Sequence, residues 1–436
     1  MTVLCVPEHT DITIADRFSA NPIQPSIGRR HAILVDRLNR KLKADGRVAP
    51  FELGYRSVRT RQYCGVLTIG HEAIEVLPKI DRLAGEETDT EARIRLLDML
   101  AVTRRLPIHP VEASKIARCG EHLLEIFISL FASQSLALIR NGLVHRYESQ
   151  HDELGVVRGK ILHSRQLISN LAYPHRIWCA FDEFTPDNAL NRVIKAAARR
   201  CLATTTVSSS QSTLREVLYS LDDVRNTFPQ AIEFKSLPRE RLSKPYREVL
   251  DFAGTILFGP MQDVVSGRDT HMALLFDMNL LYEQYIGCHL RKLASDSGIE
   301  VSLQGPRLWL GKEAGVVEGD RFQLRPDAVL SVNGQVMAVL DTKWKVLEGQ
   351  DPVGAVSEGD AYQMLAYMTR YNVDTAVLLY PWRLAARTGP VLSEIGICSK
   401  RLLIAGVNLH DLKAVPDQLR FIVQKWLLVG GASSVH

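Results

Sequence analysis

The sequence predicts an α+β protein of several domains: a β-rich N-terminal domain over residues 1–90, a mixed helical and β middle region over 91–270, and a C-terminal α/β module over 271–436. Three observations carry this. The chain has 436 residues, more than one typical domain. Alternating strand-like patterning near the N-terminus gives way to helical spacing after about residue 91. From about residue 271 the order becomes helix, strands, helix, strand, which is that of an α/β unit.

In the first region, a helix is expected from His31 to Lys43, and YCGVLTIGHEAIEVLPKI (63–80) alternates and breaks at Gly70-His71, the mark of a hairpin. Pro78 and the charged run from Gly85 to Asp89 close the region. ARIRLLDMLAV and the longer EHLLEIFISLFASQSLALIRNG follow as helices, the second stopping at Asn141-Gly142. Glu121, Glu125, Gln134 and Arg140 interrupt that apolar helix and favour a core element over a membrane span, which needs roughly 20 apolar residues. Short strands are expected over 143–186, then a helix over 188–204 capped by Asp187, a polar loop at Ser208 to Ser212, and helices near 212–225 and 239–257. HMALLFDMNLLYEQYIGCHLRKLAS (271–295) reads as one long amphipathic helix. Strands are expected at 299–303, 307–310, 321–332 and 335–341, a helix at 357–371, and strands at 375–380 and 392–407.

Composition narrows the class. The chain is 46% hydrophobic and 23% charged, which permits a large core in a soluble protein. A net charge of +4 excludes a histone-like polycation while leaving room for basic patches such as Arg104-Arg105 and Arg199-Arg200. The seven cysteines are scattered, with no C-x-x-C pair, which argues against a zinc ribbon or an iron–sulfur cluster and suits a reduced, cytoplasmic protein. No secretion signal is evident at the N-terminus, and no membrane association is expected.

The chemistry concentrates in LRPDAVLSVNGQVMAVLDTKWKVL (324–347). An apolar strand from Val336 to Leu340 runs into Asp341, Thr342 and Lys343. Asp341 and Lys343 share a strand face. A hairpin about Asn333-Gly334 would bring Asp327 beside Asp341. Two carboxylates and the backbone carbonyl of Thr342 are hard oxygen ligands suited to Mg²⁺, which can polarise a phosphodiester and activate water. A nearby lysine can orient that water or stabilise developing negative charge. The bland alternative is a solvated strand end. The tripeptide [D/E]-x-K also occurs at Glu233-Phe234-Lys235 and Asp411-Leu412-Lys413, but only Asp341-Thr342-Lys343 combines an apolar strand, an upstream Pro326-Asp327 and a helix just after it. On that helix Gln363 and Tyr367 stand at i and i+4. Glu283, on the helix LLYEQYI, is a further ligand, directly or through water, or an ordinary solvated position.

Pro326-Asp327, Asp341-Thr342-Lys343 and the Gln363-to-Tyr367 spacing resemble the PD-(D/E)xK nuclease superfamily in its Q-x-x-x-Y form. That resemblance implies a nuclease fold for the C-terminal domain, Mg²⁺ (or Mn²⁺) on Asp327 and Asp341, a water-assisting Lys343, and supporting roles for Gln363 and Tyr367. GVLTIGHEAIEVLPKI, RYESQHDELGVVRGKI and CAFDEFTPDNALNRVIKAAA are similar to motifs of the McrC family, centred on Arg158-Gly159-Lys160 and on Asp187 to Arg192. This resemblance spans roughly residues 55–430; the first 50 match poorly and look like a lineage-specific addition. It implies the endonuclease subunit of a modification-dependent (5-methylcytosine) restriction system, acting on double-stranded modified DNA. It also implies a partner, a GTP-hydrolysing AAA+ McrB-type hexamer that carries the modification reader. The N-terminal part of this chain would dock in that ring and stimulate GTP hydrolysis. The chain has no G-x-x-x-x-G-K-[S/T] string, as suits a subunit that borrows its motor. Competing readings are a nuclease of another DNA-processing pathway and a non-catalytic adaptor that only activates the GTPase.

Overall fold

The computed structural model describes residues 1–79, 88–103, 121–169, 175–227, 234, 236–237, 242–258, 272–313, 319–345, 353–354, 356–382 and 391–430. The charged run at 85–87, the basic pair Arg104-Arg105, Cys119, and Glu233 and Lys235 lie outside the described residues.

In chain order the elements begin with β1 (Thr2–Pro7), β2 (Asp11–Ala15), β3 (Ser26–Gly28), α1 (Arg29–Ala44), β4 (Phe51–Leu53), β5 (Ser57–Thr60), β6 (Tyr63–Ile69) and β7 (Glu72–Leu77). Then come α2 (Asp89–Val102), α3 (Leu123–Arg140), β8 (Arg146–Leu154), β9 (Lys160–Ile161), α4 (His163–Ser169), β10 (Ile177–Thr185), α5 (Ala189–Thr204), α6 (Ser208–Ser220) and α7 (Lys244–Phe258). The last part holds β11 (Ala273–Asp277), α8 (Met278–Ser297), β12 (Glu300–Leu303), β13 (Leu308–Lys312), β14 (Asp320–Leu324), β15 (Ala328–Val332), β16 (Gln335–Thr342), α9 (Glu358–Arg370), β17 (Thr375–Pro381), β18 (Val391–Ile397), β19 (Lys400–Val407) and α10 (Val415–Gly430). Strands β1, β6, β7 and β11 are hydrogen-bonded in the order β1-β7-β6-β11.

The chain divides into two compact units. The first comprises Met1–Thr2, Leu67–Ala73 and Glu121–Leu274. It packs α3, α5, α6 and α7 together and carries the small antiparallel sheet β8-β10-β9. Helix α3 is long and apolar enough to cross a membrane by length and composition alone. Its Ile126, Phe127, Leu130 and Phe131 are nevertheless fully buried, and Phe131 meets Phe252 of α7 edge-on at 5.6 Å. Two expectations fail here. Asp187 does not cap α5: Asn188 does, its side chain accepting from the N–H groups of Leu190 and Asn191 at 3.1 and 3.2 Å. The Asp187 carboxylate is drawn instead to Arg192 (2.7 and 2.9 Å) and to Arg225, whose backbone N–H donates at 2.9 Å. Nor is Ser208 to Ser212 a loop; it is the first turn of α6, where serines are tolerated because the first N–H groups have no helical partner.

The second unit comprises Val3–Val66, Ile74–Gly120 and Leu275–His436. A four-stranded sheet, β3-β2-β5-β4, packs on α1. The main body is a mixed six-stranded sheet in the order β12-β15-β16-β17-β19-β18. Helix α9 covers one face, burying Met364, Tyr367 and Met368 with Val339, Leu378 and Ile404; α8 and α10 both pack on β16, and on β12 and β19 respectively. The helix expected over 271–295 is a strand as far as Asp277, which caps α8 by accepting from the Asn279 N–H at 3.0 Å. The strand expected over 392–407 is the hairpin β18–β19, turned at Cys398-Ser399 with φ 47° and 62°. Both residues sit in the left-handed region without the Asn or Gly that normally advertises such a turn. The strand expected over 321–332 is likewise two strands, β14 and β15.

Candidate functional site

The expected hairpin is present. Val332 pairs with Gln335, and Asn333 and Gly334 take φ 50° and 77°, the left-handed pair that a two-residue turn requires. Ala328 pairs with Leu340, so Asp327 and Asp341 come next on the two strands. On its other side β16 runs parallel to β17, with Asp341 beside Leu378 and Thr342 beside Leu379.

Thr342 holds Asp327: its N–H and Oγ1 both donate to Asp327 Oδ2, at 2.7 and 2.6 Å. Lys343 holds Asp341, with Nζ 2.9 Å from Oδ2. The same ammonium stands 3.0 Å from Asp360 Oδ1 and donates to Gln363 Oε1 at 3.0 Å. Gln363 passes its own N–H to the Tyr367 hydroxyl at 2.8 Å. Asp341, Lys343, Gln363 and Tyr367 therefore form one hydrogen-bonded chain at the end of the central strands, and Asp327 adjoins it through Thr342. Glu283, on α8, accepts from Gln304 Nε2 at 2.7 Å. With Asp327, Gln304 and Arg291 it lines a cleft of about 380 Å³.

The electrostatics fit a cation site. Burial, then the charge of Glu283, raises the Asp327 pKa above the usual carboxylate range; burial, then Asp327, does the same for Asp341. Burial works against the Lys343 ammonium, but Asp341 and Asp360 outweigh it and hold its pKa above the ordinary lysine value. Burial also works against the Asp360 carboxylate, but hydrogen bonds from Ser357 and Lys343 keep its pKa low. Burial pushes the Tyr367 hydroxyl up to about 12. Among the described residues no three His, Cys, Asp or Glu side chains close into a ready-made cage. The donor set is the pair Asp327 and Asp341, two like charges of which Asp341 is buried and Asp327 half-buried, with Glu283 in electrostatic range of Asp327. Mg²⁺ commonly sits on only one or two carboxylates and completes its shell with water.

Two residues of this arrangement are absent from the sequence reading. Asp360 had a signal: Ser357-Glu358-Gly359-Asp360 has the spacing of a helix cap, and Asp360, Gln363 and Tyr367 recur at i, i+3 and i+7. Glu8 had none. It is buried at the end of β1, accepts from the Lys79 N–H at 3.0 Å, and receives the Trp344 indole N–H at 3.1 and 3.0 Å on its two oxygens. The Trp344 ring also lies 5.5 Å from the Tyr282 ring. Arg158 stacks 4.2 Å over the Phe181 ring and remains about half exposed.

Residues 58–381 match the family model described as McrBC 5-methylcytosine restriction system component. Comparison with curated proteins gives no match. Among solved structures, a refined half-complex from the tetradecameric assembly of Thermococcus gammatolerans McrB AAA+ hexamers with bound McrC is similar. Its TM-score is 0.69 at 20% identity, over 97% of this chain and 100% of the matched one. The cryo-EM structure of the Thermococcus gammatolerans McrBC complex gives 0.50 at 22% identity, over 67% and 88%. At these identities the likeness is one of fold, and it agrees with the multidomain α/β arrangement expected.

Proposed function

The chain belongs to the McrBC family of restriction-system components, and from that premise we propose that it is the nuclease subunit: a Mg²⁺-dependent endodeoxyribonuclease working with a GTP-hydrolysing AAA+ hexamer of the McrB kind. The observation that carries the reading is the pairing of Asp327 and Asp341 across one hairpin with a fixed ammonium, Lys343, against the second. A partner of that kind is supported by the fold shared with a structure containing McrC bound to McrB hexamers. Recognition of the modified base is assigned to the partner.

Asp327, Asp341 and the Thr342 carbonyl would hold the ion, with Glu283 reached directly or through water. A bound Mg²⁺ supplies Lewis-acid polarisation of the phosphodiester and a more acidic water. The chain's own residues do the positioning. Thr342 fixes the orientation of Asp327 through two hydrogen bonds. Lys343 presents a permanent positive charge where negative charge develops on the phosphoryl oxygens. Asp360 and Gln363 keep that ammonium from swinging into solvent, and Tyr367 anchors Gln363.

The test is plasmid cleavage with the cognate GTPase, GTP and Mg²⁺ on methylated and unmethylated DNA, comparing wild type with Asp341→Ala. Wild type should cut methylated plasmid; the variant should not, while still stimulating GTP hydrolysis. A variant that cuts would overturn the site. A wild type that stimulates GTP hydrolysis without cutting would make the chain an activator only.

A further inference from the structure

Strands β13 and β14 make a two-stranded antiparallel ribbon outside the six-stranded sheet. Its base is anchored. Leu308 pairs with Leu324, which is buried in the core beneath α9; Arg370 of α9 donates to the Trp309 carbonyl at 2.8 Å, and the Tyr371 hydroxyl donates to that of Pro306. Beyond the base, the sequence no longer serves the core. Leu310 and Phe322 fall between the paired positions Trp309–Gln323 and Gly311–Arg321, and their exposures are 49% and 75%. Phe322 also has φ 59°, a left-handed backbone that is a genuine outlier for a bulky residue and that clusters at binding sites.

Cations outnumber anions around the ribbon. Arg307, Lys312, Arg321, Arg325 and Arg370 are all exposed, against Asp320 and Glu313, of which Glu313 is paired with Arg321. Trp309, Lys312, Asp320 and Arg370 line an open concavity of about 390 Å³. The ribbon is also continuous with the candidate site. From β14 the chain passes through Arg325-Pro326 straight to Asp327, and Arg325 donates to Gln304, the residue that bonds Glu283.

We propose that the β13–β14 ribbon is the duplex-gripping element of this chain. It seats in the major groove, whose width of about 12 Å admits a two-stranded ribbon. Phe322 and Leu310 lie against base edges, and Arg307, Lys312 and Arg325 hold the flanking phosphates. An apolar pair ringed by cations suits a polyanion whose groove floor offers the apolar methyl groups of thymine. The phosphate contacts fix register on DNA without selecting sequence. The assignment rests on the nuclease reading above and adds where the DNA is held.

The experiment is fluorescence anisotropy of the full chain on a labelled 30-base-pair duplex between 50 and 200 mM KCl, without divalent metal. The variants are Phe322→Ala, Phe322→Gly and Arg307→Ala/Lys312→Ala. Phe322→Ala should bind about tenfold more weakly with an unchanged salt slope, as expected when apolar area is no longer buried against the groove floor. Phe322→Gly, which suits the left-handed backbone and so guards against misfolding, should bind as weakly. The double variant should lower the slope of log affinity against log salt by about two, because each phosphate that a cation neutralises adds roughly 0.9 to that slope. Variants that bind like wild type would overturn the ribbon while leaving the nuclease reading intact. So would unchanged DNA affinity with a shift from dimer to monomer in sedimentation, which would make the ribbon an interface between copies. A wild-type chain that binds no duplex overturns the ribbon too, and the nuclease reading falls only if the cleavage assay with the partner also fails.

Discussion

The Lys343 ammonium lies 3.0 Å from Asp360 Oδ1 and 2.9 Å from Asp341 Oδ2, so one cation ties the strand that carries the candidate site to the first turn of α9. Asp360 touches no expected ligand; it acts through the lysine. Asp360→Asn should therefore leave the carboxylate pair intact and free Lys343 to move. A displacement of about 1 Å at a reacting centre can cost on the order of 10²-fold. Single-turnover cleavage should fall about 10- to 100-fold, with GTPase stimulation unchanged and the affinity for Mg²⁺ little altered. A wild-type cleavage rate would show that the strand alone positions the lysine.

The paired like charges predict a trade of stability for function. Asp341 is 4% exposed and faces Asp327 in a site that raises both pKa values. Replacing Asp341 by its neutral isostere removes that repulsion and desolvation. In EDTA at pH 7.5, Asp341→Asn should melt no lower than wild type and gain about 1–2 kcal/mol, roughly 2–4 °C per kcal/mol in a unit of this size. Mg²⁺ should raise the wild-type melting temperature and move the variant less, because a ligand stabilises only the state that binds it. A variant several degrees less stable in EDTA would mean that the Lys343 pairing outweighs the repulsion.

The strands and the hairpin were legible because local chemistry marked them. Asn333-Gly334 can take the left-handed turn, and the apolar run Val336 to Leu340 must be buried. Where the local signal was weak or ambiguous, the reading failed. Cys398-Ser399 turns without Gly or Asn, so a hairpin passed for one strand. Asp187 and Asn188 are both good caps, and only the positions of Arg192 and Arg225 decide that the charged one is taken elsewhere. Met272 to Leu275 have a helix-compatible pattern but are claimed by the sheet containing β6, as the hydrogen bond from the Thr68 N–H to the Met272 carbonyl records. Glu8 and Trp344 are 336 positions apart, and no local pattern encodes such a contact.

Asp187 makes the stability of the chain depend on pH. Burial opposes its charge, but hydrogen bonds from Arg192 and Arg225 hold its pKa well below the ordinary carboxylate value. A depressed folded-state pKa contributes stability that is present above the unfolded value, near 4, and is lost as pH falls toward the folded one. Asp187→Asn should cost about 2–3 kcal/mol at pH 7, the scale of hydrogen bonds to a charged group. The gap between the two proteins should narrow as chemical denaturation is followed from pH 5 to pH 3. A gap independent of pH would assign the loss to packing.

Glu8 should behave in the opposite sense. Burial raises its pKa to about 7, even though the Lys79 N–H and the Trp344 indole donate to it. A raised folded-state pKa contributes stability that is full below the unfolded value, near 4.5, and is lost as pH rises through about 7. Glu8→Gln carries no charge to desolvate, so its stability relative to wild type should rise between pH 6 and pH 8. The same substitution leaves an amide that cannot accept the indole N–H on both sides, as the carboxylate does at 3.1 and 3.0 Å. Trp344 directly follows Lys343, so loosening the indole should be felt at the ammonium. We expect Glu8→Gln to slow cleavage severalfold at pH 6, and Trp344→Phe, which removes the donor altogether, to slow it at least as much. Equal cleavage rates in all three proteins, with the pH dependence of stability still present, would confine the Glu8–Trp344 pairing to holding the N-terminal strand in place.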